Sequence, residues 1–290
     1  MRSWANPSRR VAHRSRAGKT QIPNVRPRPY GLRMAEETFD KRNRFREEAV
    51  NRGVPLAEVE RWIRAVRPAA ILGQGGEGPV VAQLGGYPML PVGPPDPRFP
   101  FVASVDCATL PREATDLPLP SDGHLLFFGE ADVGFDGVLP ELVMYVAAGT
   151  PVTERRVEKE WYTVLPHSQL RAAWCELSAP TSGELETEYP HADELDGTWT
   201  NAYGYRLGSL QIGGYPKIAN WDPVGVAREA ATEEAGTDEE ALDDDWVLLA
   251  TWSCDDDVKE LDHGLIHWVI RREDLAALRF DRVYVYVHMI

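Results

Sequence analysis

Cysteine is scarce in this 290-residue chain, which has only Cys107, Cys175 and Cys254. Three scattered thiols exclude a disulfide framework and a four-cysteine zinc site, and they suit a reducing cytoplasm. Also missing is any run of roughly 18 uncharged apolar residues, so no membrane-spanning helix is expected. The chain has no Walker loop, no Gly-x-Ser-x-Gly elbow and no dinucleotide fingerprint opening a helix, which removes three common enzyme readings. Acid is absent from residues 1–33, although the whole chain holds 45 Asp and Glu.

That last absence splits the molecule. Residues 1–33 carry nine basic residues, from Arg2 to Arg33, and form a basic leader expected to lack fixed structure. The composition changes abruptly at Met34, which also suits a chain translated from Met34 rather than Met1. Taking nine from the 31 basic residues leaves 22 against 45 acids, a charge of −23 for residues 34–290. Such a body is a poor partner for nucleic acid, whose binding depends on Lys and Arg displacing counterions. It reads either as an acidic surface kept for solubility or as one that favours a basic partner through long-range steering.

Residues 34–290 read as a single domain. Residues 34–72 form a helical cap. The chain is charged and free of Gly and Pro from Met34 to Asn51, and Pro55 opens a second helix with Leu56, Val59, Trp62, Ile63 and Val66 on one face. Arg67-Pro68 ends it, and Gly73–Gly78 reads as a linker. Short apolar runs follow, with strands expected at Val80–Leu84, Phe101–Asp106, Leu125–Gly129, Leu142–Ala147, Glu160–Val164, Tyr205–Ile212, Trp246–Ser253, Leu265–Ile270 and Val283–Ile290. Residues 149–204 are the least regular part. Thr232–Asp245, with eight acids, reads as an exposed loop, and Glu273–Leu278 as a short helix.

Self-similarity is the strongest signal. LGGYPMLP (84–91) returns as IGGYPKIA (212–219), VASVDC (102–107) as LATWSC (249–254), and DGHLLFF (122–128) as HGLIHWV (263–269). The offsets are 128, 147 and 141, in constant order. Two repeats are therefore expected, at 73–148 and 205–290. The fold class is α+β: a largely antiparallel β body with N-terminal helices and short peripheral ones. Each Gly-Gly-Tyr-Pro reads as a tight turn, its tyrosine either plugging the turn or lining a cleft between repeats.

These segments resemble the YwqG-like family, a bacterial domain of unassigned function. The likeness rests on LGGYPMLPVG, FPFVASVDCATLP and LPSDGHLLFFG in the first half. In the second half it rests on RLGSLQIGGYPKIANWD, WVLLATWSCDDD and HGLIHWVIRREDLAALRFDRVYVYV. It covers roughly 67–290 and implies an α+β fold with a largely antiparallel body. It also implies an accessory or immunity-type role beside secreted toxins, whose basic surfaces an acidic protein could mask. The sequence departs from the family where members usually carry a Gln and an Asp two residues apart. Ser104 and Asp106 stand there in the first copy, and Thr251 and Ser253 in the second. Pro94-Pro95-Asp96-Pro97 replaces the usual tryptophan.

Several constellations bear on chemistry. Asp255-Asp256-Asp257 with Asp262 and His263 is the densest group of oxygen ligands, but it lacks EF-hand spacing. His263 and His267 lie four apart in a stretch that reads as strand rather than zinc-protease helix. Cys107 and Cys254 occupy equivalent repeat positions and read as buried thiols. No metal and no cofactor is expected. The function expected is non-catalytic binding of a protein partner, a basic one by charge, through an acidic, aromatic-bearing surface. The alternative is an enzyme or small-ligand binder using an inter-repeat cleft with Tyr87, Asp106, Tyr215, Asp255 and His263.

Overall fold

A computed structural model describes residues 30–75, 78–130, 136–138, 141–157, 164–177, 189–203, 209–216, 221–235, 245–254 and 264–289. The leader before Tyr30 and the acid runs at 236–244 and 255–263 fall outside them. Helix α1 (Tyr30–Asn51) begins within the basic leader, and α2 (Leu56–Ala65) follows. Val59, Trp62 and Ile63 of α2 are buried as its periodicity requires, whereas Leu56 is 53% exposed. Helix α3 (Ala192–Tyr203) packs on both, closing a cluster that includes Phe45, Trp62, Leu195 and Trp199.

The second helix ends before Arg67-Pro68, as expected, but no linker follows a helix there. Pro68 lies inside strand β1 (Arg67–Gly73), so the glycines of Gly73–Gly78 follow a strand. The other strands are β2 (Val80–Leu84), β3 (Met89–Pro91), β4 (Phe101–Asp106), β5 (His124–Phe128), β6 (Asp136–Val138), β7 (Val143–Val146), β8 (Val152–Glu154), β9 (Ser168–Leu177), β10 (Leu210–Gly213), β11 (Trp246–Ser253), β12 (Gly264–Arg271) and β13 (Tyr284–Met289). Helix α4 (Pro223–Ala235) runs through the start of the acidic segment read as a loop, and α5 (Arg272–Ala276) precedes β13.

Eleven strands form one antiparallel sheet in the order β6-β13-β12-β11-β10-β1-β9-β2-β4-β5-β7, while β3 and β8 make a separate ribbon. Strands β1 and β9 lie at the centre. Outward from β9 runs a wing β2-β4-β5-β7, and outward from β1 a wing β10-β11-β12-β13. The chain leaves β1 for β2, yet β1 pairs with β9 and β10; it leaves β9 for β10, yet β9 pairs with β1 and β2.

The wings share their registers. Gln83 pairs with Ser104 as Gln211 pairs with Thr251. Ser104 pairs with Leu126 as Thr251 pairs with His267, and Leu126 with Met144 as His267 with Tyr286. The resulting separations are 128 for β2 to β10, 147 for β4 to β11 and 141 for β5 to β12, the offsets found in the sequence. Even the closing bonds match: Cys107 N–H donates to Gly123 O at 3.0 Å, and Cys254 N–H to Gly264 O at 3.1 Å.

The sheet curls until the inner faces of its wings meet. One core joins Val102, Val105 and Phe127 with Trp252, Ile266 and Trp268. On the outer faces, the β3–β8 ribbon brings Leu90 against Phe101, Leu126 and Phe128, and α4 covers Trp246, Leu248 and Val269.

Both Gly-Gly pairs take the left-handed backbone region: Gly85 and Gly86 at φ +61° and +73°, Gly213 and Gly214 at +70° and +72°. A Cβ on Gly85 would lie 2.4 Å from the Pro166 carbonyl oxygen, whereas one on Gly213 would meet the Thr115 hydroxyl, which can rotate. Strain from positive φ, of about 1–2 kcal/mol, is common to both. Gly85→Ala is therefore expected to destabilise more than Gly213→Ala, by at least about 1 kcal/mol in urea unfolding. Equal losses would mean that the carbonyl contact yields freely.

Candidate functional site

The first Gly-Gly-Tyr-Pro turn is built by its own strand. Gln83, last but one in β2, donates from Nε2 to Gly85 O at 2.9 Å and reaches Tyr87 O at 3.5 Å. Gln211 does the same in β10, donating to Gly213 O at 2.9 Å and Tyr215 O at 2.7 Å. A glutamine two residues before each Gly-Gly pair was a signal in the sequence that the motif alone does not include.

Their tyrosines meet different surroundings. Tyr215 donates its hydroxyl to Ala65 O at 2.7 Å, and the Arg67 guanidinium lies 4.8 Å above its ring. The junction between α2 and β1 thus plugs the second turn. Tyr87 has the Arg156 guanidinium 5.0 Å above its ring, but its hydroxyl makes no hydrogen bond among the described residues. It lines a shallow open cleft together with Pro97, Phe99, Pro100, Phe128 and Arg155.

Of the expected site residues, the described ones, Tyr87, Asp106 and Tyr215, are not brought into one cleft by the sheet. β2 and β10 run antiparallel with two strands between them, so Tyr87 and Tyr215 sit at opposite ends of the strands and about 14 Å apart across them. Asp106 lies at the far end of β4 from Tyr87, where its carboxylate accepts from Ala108 N–H at 2.9 Å and shapes a turn. Asp255 and His263 lie outside the described residues.

The buried titratable groups are held by structural partners. Glu176, 5% exposed, accepts from Arg42 through both oxygens and from the Tyr203 hydroxyl at 2.9 Å, tying α1 and α3 to β9. Glu58 receives the His191 backbone N–H at 2.9 Å and its Nδ1 at 2.9 Å, fixing the start of α3 on α2. His267 shares a 2.9 Å hydrogen bond with Thr251. Asp274 is buried against Arg279 at 2.5 Å and Arg282 at 3.7 Å. Among the described residues no group of three His, Cys, Asp or Glu is placed to hold a metal ion, and no helix is long and apolar enough to cross a membrane.

Burial, aided by the charge of Asp106, pushes the Cys107 thiol up to about 12. Cys254 is fully buried, with its Sγ accepting from Gly264 N–H at 2.8 Å. Neither is poised as a nucleophile, since the thiolate is the reactive form. In the native protein at pH 8, iodoacetamide is expected to label Cys175, which is only half-buried, well before the other two. Peptide mapping reads the order, and early labelling of Cys107 would contradict its burial.

Fold and site together define an α+β protein on one long antiparallel sheet, with an aromatic, arginine-rimmed cleft at the first turn. The chain belongs to the family described as a domain of unknown function, DUF1963, whose model matches residues 82–288. The match takes in both turns and every residue of the cleft, and leaves out α1, α2 and β1. No curated protein matches the sequence.

Proposed function

We propose that this is a non-catalytic binding protein whose contact site for a protein partner is the cleft beside Tyr87. The observation that carries this reading is the contrast between two turns of one geometry, one plugged by the chain itself and one open. Exposed apolar residues surround the open turn: Met89 at 47%, Val92 at 68% and Val164 at 48%. Clusters of this kind at a shallow cleft are typical of interaction sites rather than enclosed reaction chambers. The buried carboxylates Glu58, Glu176 and Asp274, by contrast, hold helices and strands together. The finer likeness to YwqG-like proteins, and an accessory or immunity-type role, belong to this reading. An inter-repeat cleft joining both tyrosines does not, given their separation.

Affinity capture tests it. Full-length protein and the surface variant Met89→Asp/Val92→Asp serve as baits, with mass spectrometry as the readout. Wild type is expected to retain a partner that the folded variant loses; equal capture by both would move the site elsewhere.

We also infer that the two wings are related copies that exchange their first strands. The shared registers, turns and glutamines support this. Leu72 corresponds to Leu170, a separation of 98 that carries Gly73 onto Arg171, its own partner across the β1–β9 pair. This correspondence supports a pseudo-two-fold axis through that pair. A relative holding a single copy is then expected to be a dimer by sedimentation; a stable monomer would argue against exchange.

A further inference from the structure

Residues 91–100, between β3 and β4, hold five prolines in ten positions: Pro91, Pro94, Pro95, Pro97 and Pro100. The sheet itself does not demand them. In the other wing the connection from β10 to β11 holds helix α4 instead, packed on its own wing. Each proline ring fixes its φ at about −65° and biases the residue before it toward extended geometry. Gly93, Pro94 and Asp96 each precede a proline. Residues 94–97 are therefore set toward the polyproline II form, which rises about 3.1 Å per residue and has no internal hydrogen bonds. In keeping with this, residues 93–96 make no backbone-to-backbone hydrogen bond among the described residues.

The stretch is fixed at both ends and bare in the middle. Val92 N–H donates to Pro151 O at 3.2 Å, and Pro100 O accepts from Gly129 N–H at 3.0 Å. Arg155 Nη1 donates to Pro94 O at 3.4 Å and to Asp96 Oδ1 at 2.5 Å, clamping the loop to β8. Pro97 and Pro100 are buried and line the cleft, whereas Val92, Pro94 and Pro95 are exposed, Val92 at 68%. A rod held in this way has little conformational entropy left to lose on binding. Extended proline-rich segments of this kind dock into grooves lined by aromatic rings. Resting on the reading that the contact site lies beside Tyr87, we propose that this loop is the element the partner recognises. Val92, Pro94 and Pro95 enter a groove on the partner protein lined by Trp and Tyr rings.

Competition during affinity capture by the full-length chain tests this, with a synthetic peptide of residues 91–100 in excess. Its prolines set its shape without a fold. The peptide is expected to release the partner, and the same peptide with alanine at 94, 95 and 97 is expected to leave it bound. Pro94→Ala/Pro95→Ala, at two exposed positions, should weaken the full-length complex by about 10-fold through lost contact and lost preorganisation. Circular dichroism checks that each variant keeps the native fold. A photo-crosslinking amino acid at position 92 should attach to a partner segment that bears Trp or Tyr. Loss of the partner with Met89→Asp/Val92→Asp but not with Pro94→Ala/Pro95→Ala would overturn the proline assignment and leave the cleft as the contact site. Retention by both variants would overturn both readings, as would capture of nothing. A wild-type peptide that fails to compete, or crosslinks to a surface without aromatic residues, would overturn the proline assignment alone.

Discussion

Replacing Trp268 with alanine is expected to cost about 4–5 kcal/mol of unfolding free energy, the upper end for a buried aromatic. Trp268 is fully buried in β12 and faces across the curled sheet. Its ring meets Phe127 edge-on at 5.1 Å, and its Nε1–H donates to Phe128 O at 3.2 Å. It thus joins the two wings where sequence separation is large. Truncation removes the ring, opens a cavity and leaves the Phe128 carbonyl without this donor, three losses that act together. Trp268→Phe keeps the packing and loses the bond, so its cost should be about 1–2 kcal/mol. Trp221, 69% exposed, serves as the control, with a change within about 0.5 kcal/mol for alanine. Urea unfolding reads all three. A Trp268→Ala loss no larger than that of Trp221→Ala would mean the wings do not form one core.

The second large effect concerns the helical cap. Arg42→Ala leaves the Glu176 carboxylate, 5% exposed, facing only the Tyr203 hydroxyl. Breaking a fully buried pair this way costs about 3–5 kcal/mol. The Arg42 side chain is 38% exposed, so solvent screening lowers the expected loss to about 2–3 kcal/mol. The Tyr203 ring stacks on Trp199 at 4.1 Å, so disturbance at Glu176 should spread through α3.

Burial, followed by the charge of Glu176, holds the Tyr203 phenol well above its ordinary value of 10.0. The neutral form is thus favoured in the folded state, and its contribution is complete below pH 10. It is lost as pH rises above 10, where the unfolded chain ionises and the folded phenol resists. Tyr203→Phe should flatten the alkaline limb of stability against pH. A limb unchanged by the substitution would assign it to another group.

The second wing was legible where alternation is strict. Val283 and Val285 point inward and Tyr284 outward onto α4, as period-two spacing requires. Offsets read from three short strings reappear as pairing separations because turn and strand chemistry is local. The central strands were not legible. Ser168–Leu177 holds Arg, Ala and Glu in no alternating pattern, and becomes a strand because β1 and β2 both pair with it. Arg67–Gly73 follows a helix so closely that Pro68 reads as a stop. Ala192–Tyr203 contains Gly197 and Thr198, weak helix formers, and owes its fixed start to Glu58 from another helix. At the site, Tyr87 was visible through its motif. Arg155 and Arg156 were not, since only the fold brings their segment to the first turn.

Hydrogen–deuterium exchange on the full-length chain, alone and with a captured partner, puts the central claim to its most direct test. Slowed exchange is expected at residues 86–101 and 152–157, which frame the Tyr87 cleft, with little change around Tyr215. Protection confined to the second wing or the helical cap, with the Tyr87 turn unchanged, would contradict it.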